Sequence, residues 1–225
     1  MNWVDFINEK ELIDSLLSNI ETYINEDIDL HGEALVLLSG GSTPLTLYKR
    51  FKELAVKWEK VTIGLVDERY ISKAAVNSNY FNIKKALGES IISKAYMKSL
   101  VEQLDNQQEN LLLVRKINND LFGQKSIVIL GMGTDGHTAS LFPNSHSIKR
   151  GIESKIPELI ASNSPTEPVN RITHNRASIL LTKHLILYIK GAEKKKVFEE
   201  SSKIKAPISY FIEQQHPILN IYWTR

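Results

Sequence analysis

The stretch ALVLLSGG at positions 34–41 decides the fold class. Five apolar residues run without interruption into a serine and two glycines. A continuous apolar run of this length is typical of a strand buried on both faces, the environment of a parallel sheet covered by helices. STP at positions 42–44 predicts that a helix starts directly after the glycine turn, because Ser and Thr cap helices and Pro is favoured in the first turn.

The pattern of a buried strand followed by a polar loop recurs along the chain. VTIGLV at positions 61–66 predicts a strand with a loop from Asp67, and SIVIL at positions 126–130 predicts a strand that runs into a glycine-rich loop. Further strands are predicted at 158–161, 171–174, 185–189 and 219–223, and helices at 12–24, 79–87 and 192–201. Strands that alternate with helices predict an α/β fold, a doubly wound, mostly parallel sheet with helices on both faces.

We expect a single domain over residues 1–225. A chain of 225 residues with 42% hydrophobic content is long enough for one substantial core. The aperiodic segment 144–171 is interpreted as an excursion that holds one short strand, not as a linker. We expect a monomer or a weak homo-oligomer.

Composition narrows the class of protein. Lys and Arg number 28 against 26 Asp and Glu, a net charge of +2 that does not favour nucleic acid as a partner. The absence of cysteine excludes disulfides, thiolate metal sites and thiol nucleophiles, and it is consistent with a cytoplasmic location. The N-terminus does not have the pattern of a signal peptide, and no apolar run approaches the roughly 20 residues that span a bilayer. We therefore expect no membrane partner.

Three polar loops follow the predicted strands, at the sheet edge where ligands bind in such folds. In the first, Ser39, Gly40, Gly41, Ser42 and Thr43 can turn backbone N–H groups toward an anion, although an ordinary capped turn remains the alternative. The loop lacks the Gly-Lys-Ser/Thr ending of a P-loop and the Gly-x-Ser-x-Gly frame of a nucleophilic serine. A phosphate would suit this loop.

The second loop, DER at positions 67–69, brings charge to the same edge. Arg69 can bind phosphate or neutralise a developing oxyanion, and Asp67 and Glu68 can orient it or a histidine. A solvated turn is the alternative. Lys194, at a predicted helix start after the strand at 185–189, also favours an anion at this edge.

The third loop, GMGTDGH at positions 131–137, carries the candidate acid-base residue. Its G-x-G-x-x-G spacing matches dinucleotide sites, but no acidic residue ends a second strand about 20 positions on. Histidine is the side chain suited to proton transfer near neutral pH, so His137 can take a proton from water and return it to a leaving oxygen. A histidine in a mobile polar loop is the alternative. The histidine spacing gives no metal motif, so no metal is predicted.

Together these loops resemble the 6-phosphogluconolactonase family, in the same order along the chain. The matching segments are LSGGSTP (38–44), VDER (66–69), SNY (78–80), LGMGTDGHTASLFP (130–143), RIT (171–173), KGAEK (190–194) and YW (222–223). The resemblance implies the doubly wound α/β fold of sugar-phosphate isomerases. It also implies hydrolysis of 6-phosphoglucono-1,5-lactone to 6-phosphogluconate in the pentose phosphate pathway, without a metal or organic cofactor.

Carried over residue by residue, the resemblance implies a role for each loop. His137 activates the attacking water, with Asp135 and Arg69 completing the catalytic group; Arg69 lies near either the lactone carbonyl or the phosphate. The phosphate is held by Ser39, Gly40, Gly41, Ser42, Thr43, Arg171 and Lys194. Other substrate contacts are predicted at Asp67, Asn79 and Gly133. Two departures stand out: positions 70–78 lack the Val-Pro and acidic residues usual in the family, and Thr224 replaces an acidic residue.

Two other functions use the same scaffold. Glucosamine-6-phosphate deaminase/isomerases share the phosphate loop and Asp-Gly-His, but they have Asp-Glu-Tyr in place of DER and a glutamate where this chain has Phe142. Isomerisation requires a relay of carboxylates, and an apolar side chain cannot serve in it. A non-catalytic sugar-phosphate-binding regulator is the other alternative, but binding phosphate does not require the base that His137 provides.

Overall fold

A seven-stranded parallel sheet is the centre of the computed structural model, which describes residues 1–225. In spatial order its strands are β1 (Asn2–Phe6), β10 (Leu219–Thr224), β9 (Thr182–Lys190), β6 (Lys125–Leu130), β2 (Ala34–Leu38), β3 (Val61–Leu65) and β5 (Tyr96–Met97). Each neighbouring pair is parallel. All six residues of the central strand β6 are buried, because helices cover both faces of the sheet. The predicted doubly wound α/β fold is confirmed.

Eight α-helices connect and cover the strands. They are α1 (Glu9–His31), α2 (Ser42–Tyr48), α3 (Asn79–Leu87), α4 (Glu89–Ile92), α5 (Gln107–Ile117), α6 (Ile148–Glu153), α7 (Arg176–Leu180) and α8 (Ala192–Glu200). Asn8 caps α1 through Glu11 N–H, and Gly32 ends it in the left-handed region. One cluster of 53 buried apolar residues lies between the helices and the sheet. None of the helices is long and apolar enough to cross a membrane.

A second, three-stranded sheet stands beside the first and corrects one prediction. Positions 67–69 do not form a loop but the short strand β4 (Asp67–Arg69), which pairs antiparallel with β8 (Asn170–His174); β8 pairs in turn with β7 (Leu159–Asn163). The polar triplet of β4 has no apolar pattern that would predict a strand, and its pairing depends on a distant partner. Strands were predicted at 158–161 and 171–174, and both exist, but they belong to this antiparallel sheet.

Several elements were not predicted or were predicted too short. The sequence pattern missed β1, β5, α4, α5 and α7, and α1 extends well beyond the predicted 12–24. β1 and β5 lie at the two edges of the main sheet, where burial on only part of the strand weakens the apolar pattern. The segment 144–171 contains the predicted short strand, β7, and also the helix α6.

Candidate active site

A cavity of about 320 Å³ opens at the carboxyl ends of the parallel strands. All of the predicted site residues except Asp135 line it: Ser39, Gly40, Gly41, Ser42, Thr43, Asp67, Arg69, Asn79, Gly133, His137, Arg171 and Lys194. These residues come from the turn between β2 and α2, from β4, from the start of α3, from the loop after β6, from β8 and from the first turn of α8. The fold therefore brings together side chains that are far apart in the sequence.

Asp135 lies beside the cavity and contacts His137. The Nδ1 atom of His137 is 2.5 Å from Oδ1 of Asp135, and the backbone N–H of His137 donates to the same oxygen at 3.1 Å. Burial by itself would raise the pKa of Asp135, but the hydrogen bonds and charge of His137 outweigh it and hold this pKa below its ordinary value. An ionised carboxylate can only accept at this position, so it favours the neutral tautomer of His137 that carries its proton on Nδ1.

The glycines around His137 shape this loop. Gly136 has φ +77°, a backbone conformation that glycine adopts at little cost, and its N–H donates to the carbonyl of Gly133. The N–H of Gly133 donates to the carbonyl of His137 at 2.9 Å. A Cβ atom on Gly133 would lie 2.3 Å from the imidazole ring, so the ring occupies the space that a side chain there would need.

The first loop presents unpaired donors to the cavity. The backbone N–H groups of Gly40, Gly41, Ser42 and Thr43 have no acceptor within the protein. The hydroxyl of Ser39 is buried and also lacks a partner. The buried Ser39 hydroxyl is costly without a partner, whereas the more exposed N–H groups of the loop are free to bind an anion in place of water.

Two unpaired cations face the same cavity. Arg171 is only 7% exposed, its Nε atom has no hydrogen-bond partner, and Lys194 is half-buried. No salt bridge engages either side chain. Burial lowers the pKa of both groups, and the nearby charge of Arg69 lowers that of Arg171 further. Asp67 and Glu68 raise the pKa of Arg171 in part, but neither forms a salt bridge with it. A buried guanidinium without a paired carboxylate is unfavourable, so an anionic ligand would gain from it.

Arg69 is fixed in the wall next to Arg171. In the antiparallel pair of β4 and β8, Arg69 lies directly opposite Arg171. Its Nη1 atom donates to the side-chain oxygen of Asn79 at 2.7 Å and to the carbonyl of Asn77 at 2.8 Å. The side chain of Asn79 also donates to the carbonyl of Asp67 at 3.0 Å. Three cations therefore line the cavity, and two of them, Arg69 and Arg171, lie side by side.

The two acids of the DER triplet do not orient His137, which corrects one of the alternatives drawn from the sequence. Asp67 accepts a hydrogen bond from the hydroxyl of Ser140 at 2.5 Å. Glu68 is 1% exposed and accepts from the backbone N–H groups of Arg69, Asn79 and Tyr80 and from the Ser78 hydroxyl. Burial raises its pKa, against the effect of these hydrogen bonds. Glu68 therefore joins β4 to the start of α3 and so positions Asn79.

Comparison with known proteins gives the family. Residues 7–223 match the family model described as glucosamine-6-phosphate isomerases/6-phosphogluconolactonase. The chain belongs to this family. A 6-phosphogluconolactonase of Helicobacter pylori is 30% identical over 205 residues, which cover 91% of this chain and 88% of the relative. The resemblance found in the sequence is thereby confirmed.

Solved structures agree with the family assignment. The crystal structure of a 6-phosphogluconolactonase from Shewanella baltica matches with a TM-score of 0.94 and 27% identity, covering 100% of this chain and 98% of the other. A monomeric glucosamine-6-phosphate deaminase matches with a TM-score of 0.78 and 18% identity, covering 100% and 98%. The second comparison shows the fold alone, so the fold does not discriminate between the two activities of this family.

One side chain distinguishes the site within the isomerase/lactonase family. Phe142, which stands where the sequence analysis expects a glutamate in the deaminases, is buried, and its ring centroid lies 4.4 Å from that of His137. The residue at that position, on the ring side of His137 that Phe142 covers, is therefore not a carboxylate. The ring also contributes apolar surface on that side of His137.

Sequence reasoning missed several lining residues. Ser140 lies in the long motif around His137, so its membership in that motif was an available signal. Ser164 and Thr166, between β7 and β8, lie in the aperiodic segment and carry no pattern that points to a site. Tyr188 lies in the apolar strand β9, and nothing in an apolar strand pattern indicates that one of its buried side chains also lines a cavity.

Proposed function

We propose that the chain hydrolyses 6-phospho-D-glucono-1,5-lactone to 6-phospho-D-gluconate, a step of the pentose phosphate pathway, with His137 as general base. The observation that carries the proposal is the His137–Asp135 pair at one cavity that also contains the unpaired cations Arg171 and Lys194. The family assignment and the lactonase names of the relatives support the reaction. We call the loop of Ser39 to Thr43 together with Arg171 and Lys194 the anion wall. An acid-base pair with such a group of donors and cations is the minimum that a phosphorylated lactone needs.

The reaction proceeds through one addition and one elimination. Nε2 of His137 takes a proton from a water molecule while the water oxygen bonds to the lactone carbonyl carbon. The carbonyl oxygen becomes an oxyanion, and Asp135 stabilises the imidazolium through Nδ1. When the carbonyl re-forms, the bond to the ring oxygen breaks and His137 returns the proton to that oxygen. The product is an open-chain acid, and the histidine is neutral again.

The anion wall holds the 6-phosphate in this scheme. The free N–H groups of Gly40, Gly41, Ser42 and Thr43, the Ser39 hydroxyl and the charges of Arg171 and Lys194 supply donors and positive charge. Arg69, opposite Arg171, adds charge that stabilises either the phosphate or the oxyanion. In this proposal Asp67 and Asn79, which are held by hydrogen bonds from Ser140 and Arg69, bind sugar hydroxyls. Gly133 leaves room for the imidazole.

Phe142 supports the lactonase over the deaminase. Deamination and isomerisation of an aminosugar phosphate require carboxylates that open the ring and move protons. The side chain against His137 is an apolar ring, and Asp67 is engaged by Ser140. Lactone hydrolysis needs only the single base that the site provides.

Hydrolysis of 6-phosphogluconolactone, measured above its spontaneous opening, tests the proposal. We expect turnover by the wild type, and a His137→Asn variant with kcat lower by about 10²-fold or more and a KM within a few-fold. His216→Asn, remote from the cavity, is the matched control and should keep wild-type kcat. Release of ammonia from glucosamine 6-phosphate would identify a deaminase, and binding of the lactone without turnover would identify a regulator.

A further inference from the structure

The loop at positions 131–137 contains three glycines, and the protein itself requires two of them. Gly136 has φ +77°, and a Cβ atom there would lie 2.5 Å from Cβ of Ala206. A Cβ atom on Gly133 would lie 2.3 Å from the ring of His137. Any larger residue at these two positions would strain the backbone or displace a neighbouring group.

Gly131 is different, because the protein does not require it to be glycine. Its φ lies outside the left-handed region, and a Cβ atom built on it meets nothing within 4 Å. Alanine would therefore fit the folded chain without strain. Gly131 lines the active-site cavity. The empty space beside its Cα therefore belongs to the cavity, where a ligand can bind.

The backbone at Gly131 cannot withdraw to make room. Its carbonyl accepts a hydrogen bond of 2.8 Å from the hydroxyl of Thr138, which is fully buried. Its neighbours Leu130 and Met132 are buried in the core on either side. A close-packed interior of this kind yields little when a group is added at its surface. A methyl group at this position would thus remain in the cavity.

We propose that Gly131 determines substrate specificity by providing a side-chain-free surface against which the ring of a sugar-phosphate lactone lies in van der Waals contact. The inference rests on the proposed function for the identity of the substrate. The ligand class is a six-membered sugar ring that carries a phosphate on one side and its reacting carbon on the other. Such a ring must bridge the anion wall and His137, and the absence of a side chain at position 131 lets it lie close to the loop.

The test compares Gly131→Ala with Gly123→Ala, a glycine with φ −76° outside the cavity. For Gly131→Ala we expect KM for the lactone to rise about tenfold or more, as overpacking of a rigid site does. Inhibition by inorganic phosphate, which occupies only the anion wall, should stay within twofold. The melting temperature should not fall, because replacing glycine by alanine in an allowed conformation restricts the unfolded chain. Gly123→Ala should keep wild-type KM.

A binding measurement makes the test independent of turnover. Glucose 6-phosphate has the ring and the phosphate but no lactone carbonyl, and its affinity is measured by calorimetry. We expect Gly131→Ala to weaken it about tenfold as well. Unchanged lactone KM and unchanged glucose 6-phosphate affinity would overturn the inference, and so would an equal loss of phosphate inhibition, which would indicate a distorted loop. If the wild type fails to hydrolyse the lactone, the proposed function fails, while the calorimetric comparison still decides the role of Gly131.

Discussion

The imidazole of His137 and the carboxylate of Asp135 form a pair within a single turn: Nδ1 of the first lies 2.5 Å from Oδ1 of the second. The same carboxylate oxygen accepts a hydrogen bond from the backbone N–H of His137, so Asp135 holds both the ring and the main chain of His137. The orientation of the ring therefore depends on a few local hydrogen bonds and on the glycines beside it.

Asp135→Asn tests whether the carboxylate sets the tautomer of His137. An asparagine amide can donate to Nδ1, which places the ring proton on Nε2 and removes the base. We expect kcat to fall by about 10²-fold with KM within a few-fold. Asp29→Asn, an exposed residue of α1, should keep wild-type kcat. Equal kcat in both variants would show that His137 does not depend on Asp135.

Gly133→Ala tests the placement of the ring by steric means. The new methyl group would occupy the position of the imidazole, so the ring must move while all titratable groups remain. Because misplacement of a catalytic group by about 1 Å can cost roughly 10²-fold, we expect kcat to fall to a similar extent. Steady-state kinetics and a melting curve are the measurements. A normal kcat in a fully folded variant would contradict the position assigned to His137.

Arg171→Met tests whether the buried guanidinium serves binding at the expense of stability. Methionine fills a similar space without an unpaired charge, so we expect the free energy of unfolding to stay equal or rise by roughly 1 kcal/mol, while KM for the lactone rises at least tenfold. Arg176→Met is the contrast: its Nε atom donates to the carbonyl of Tyr210, so the variant should lose stability and keep its KM. Chemical denaturation and kinetics separate the two effects. A large loss of stability in Arg171→Met would mean that the guanidinium is structural.

The burial of Lys125 should make the stability of the protein depend on pH. It is 0% exposed, its Nζ atom donates to the carbonyl and hydroxyl of Ser178, and burial lowers its pKa from 10.5 to about 7. Between these values the unfolded chain binds a proton that the folded chain does not, so stability rises with pH in this window. Below about pH 7 the lysine is charged in both states, and the dependence ends. The neighbouring His174 is buried with a pKa held well below its ordinary value, so it does not titrate in this window.

The measurement is the difference in unfolding free energy between the wild type and Lys125→Met. We expect this difference to change in favour of the wild type by up to about 1.4 kcal/mol per pH unit from about pH 7 to pH 10. Lys116→Met, exposed on α5, should show no such slope. If the difference in unfolding free energy did not change with pH, the pKa of Lys125 in the folded protein would lie near its ordinary value.

The residues whose positions at the cavity follow most directly from the sequence belong to local turns. Asp135 and His137 lie two positions apart in the sequence, and the loop of Ser39 to Thr43 follows a strand whose burial is evident from its apolar run. In contrast, no local pattern indicates that Glu68 would turn toward α3, because its partners at positions 78–80 come from another element. Ser164 and Thr166 reach the cavity only because β7 and β8 fold beside β4.

From the order of its residues alone, this chain determines a parallel sheet and the places where polar loops leave it, because burial on both faces demands continuous apolar strands and sharp turns demand glycine. Tertiary structure decides that β4 exists at all and that its Arg69 faces Arg171 across an antiparallel pair. The physical reason is that the interactions that stabilise the two kinds of element come from different parts of the chain. Periodicity and turn geometry act on neighbouring residues, whereas a short polar strand gains its hydrogen bonds and burial only from a partner that the rest of the fold has already put in place.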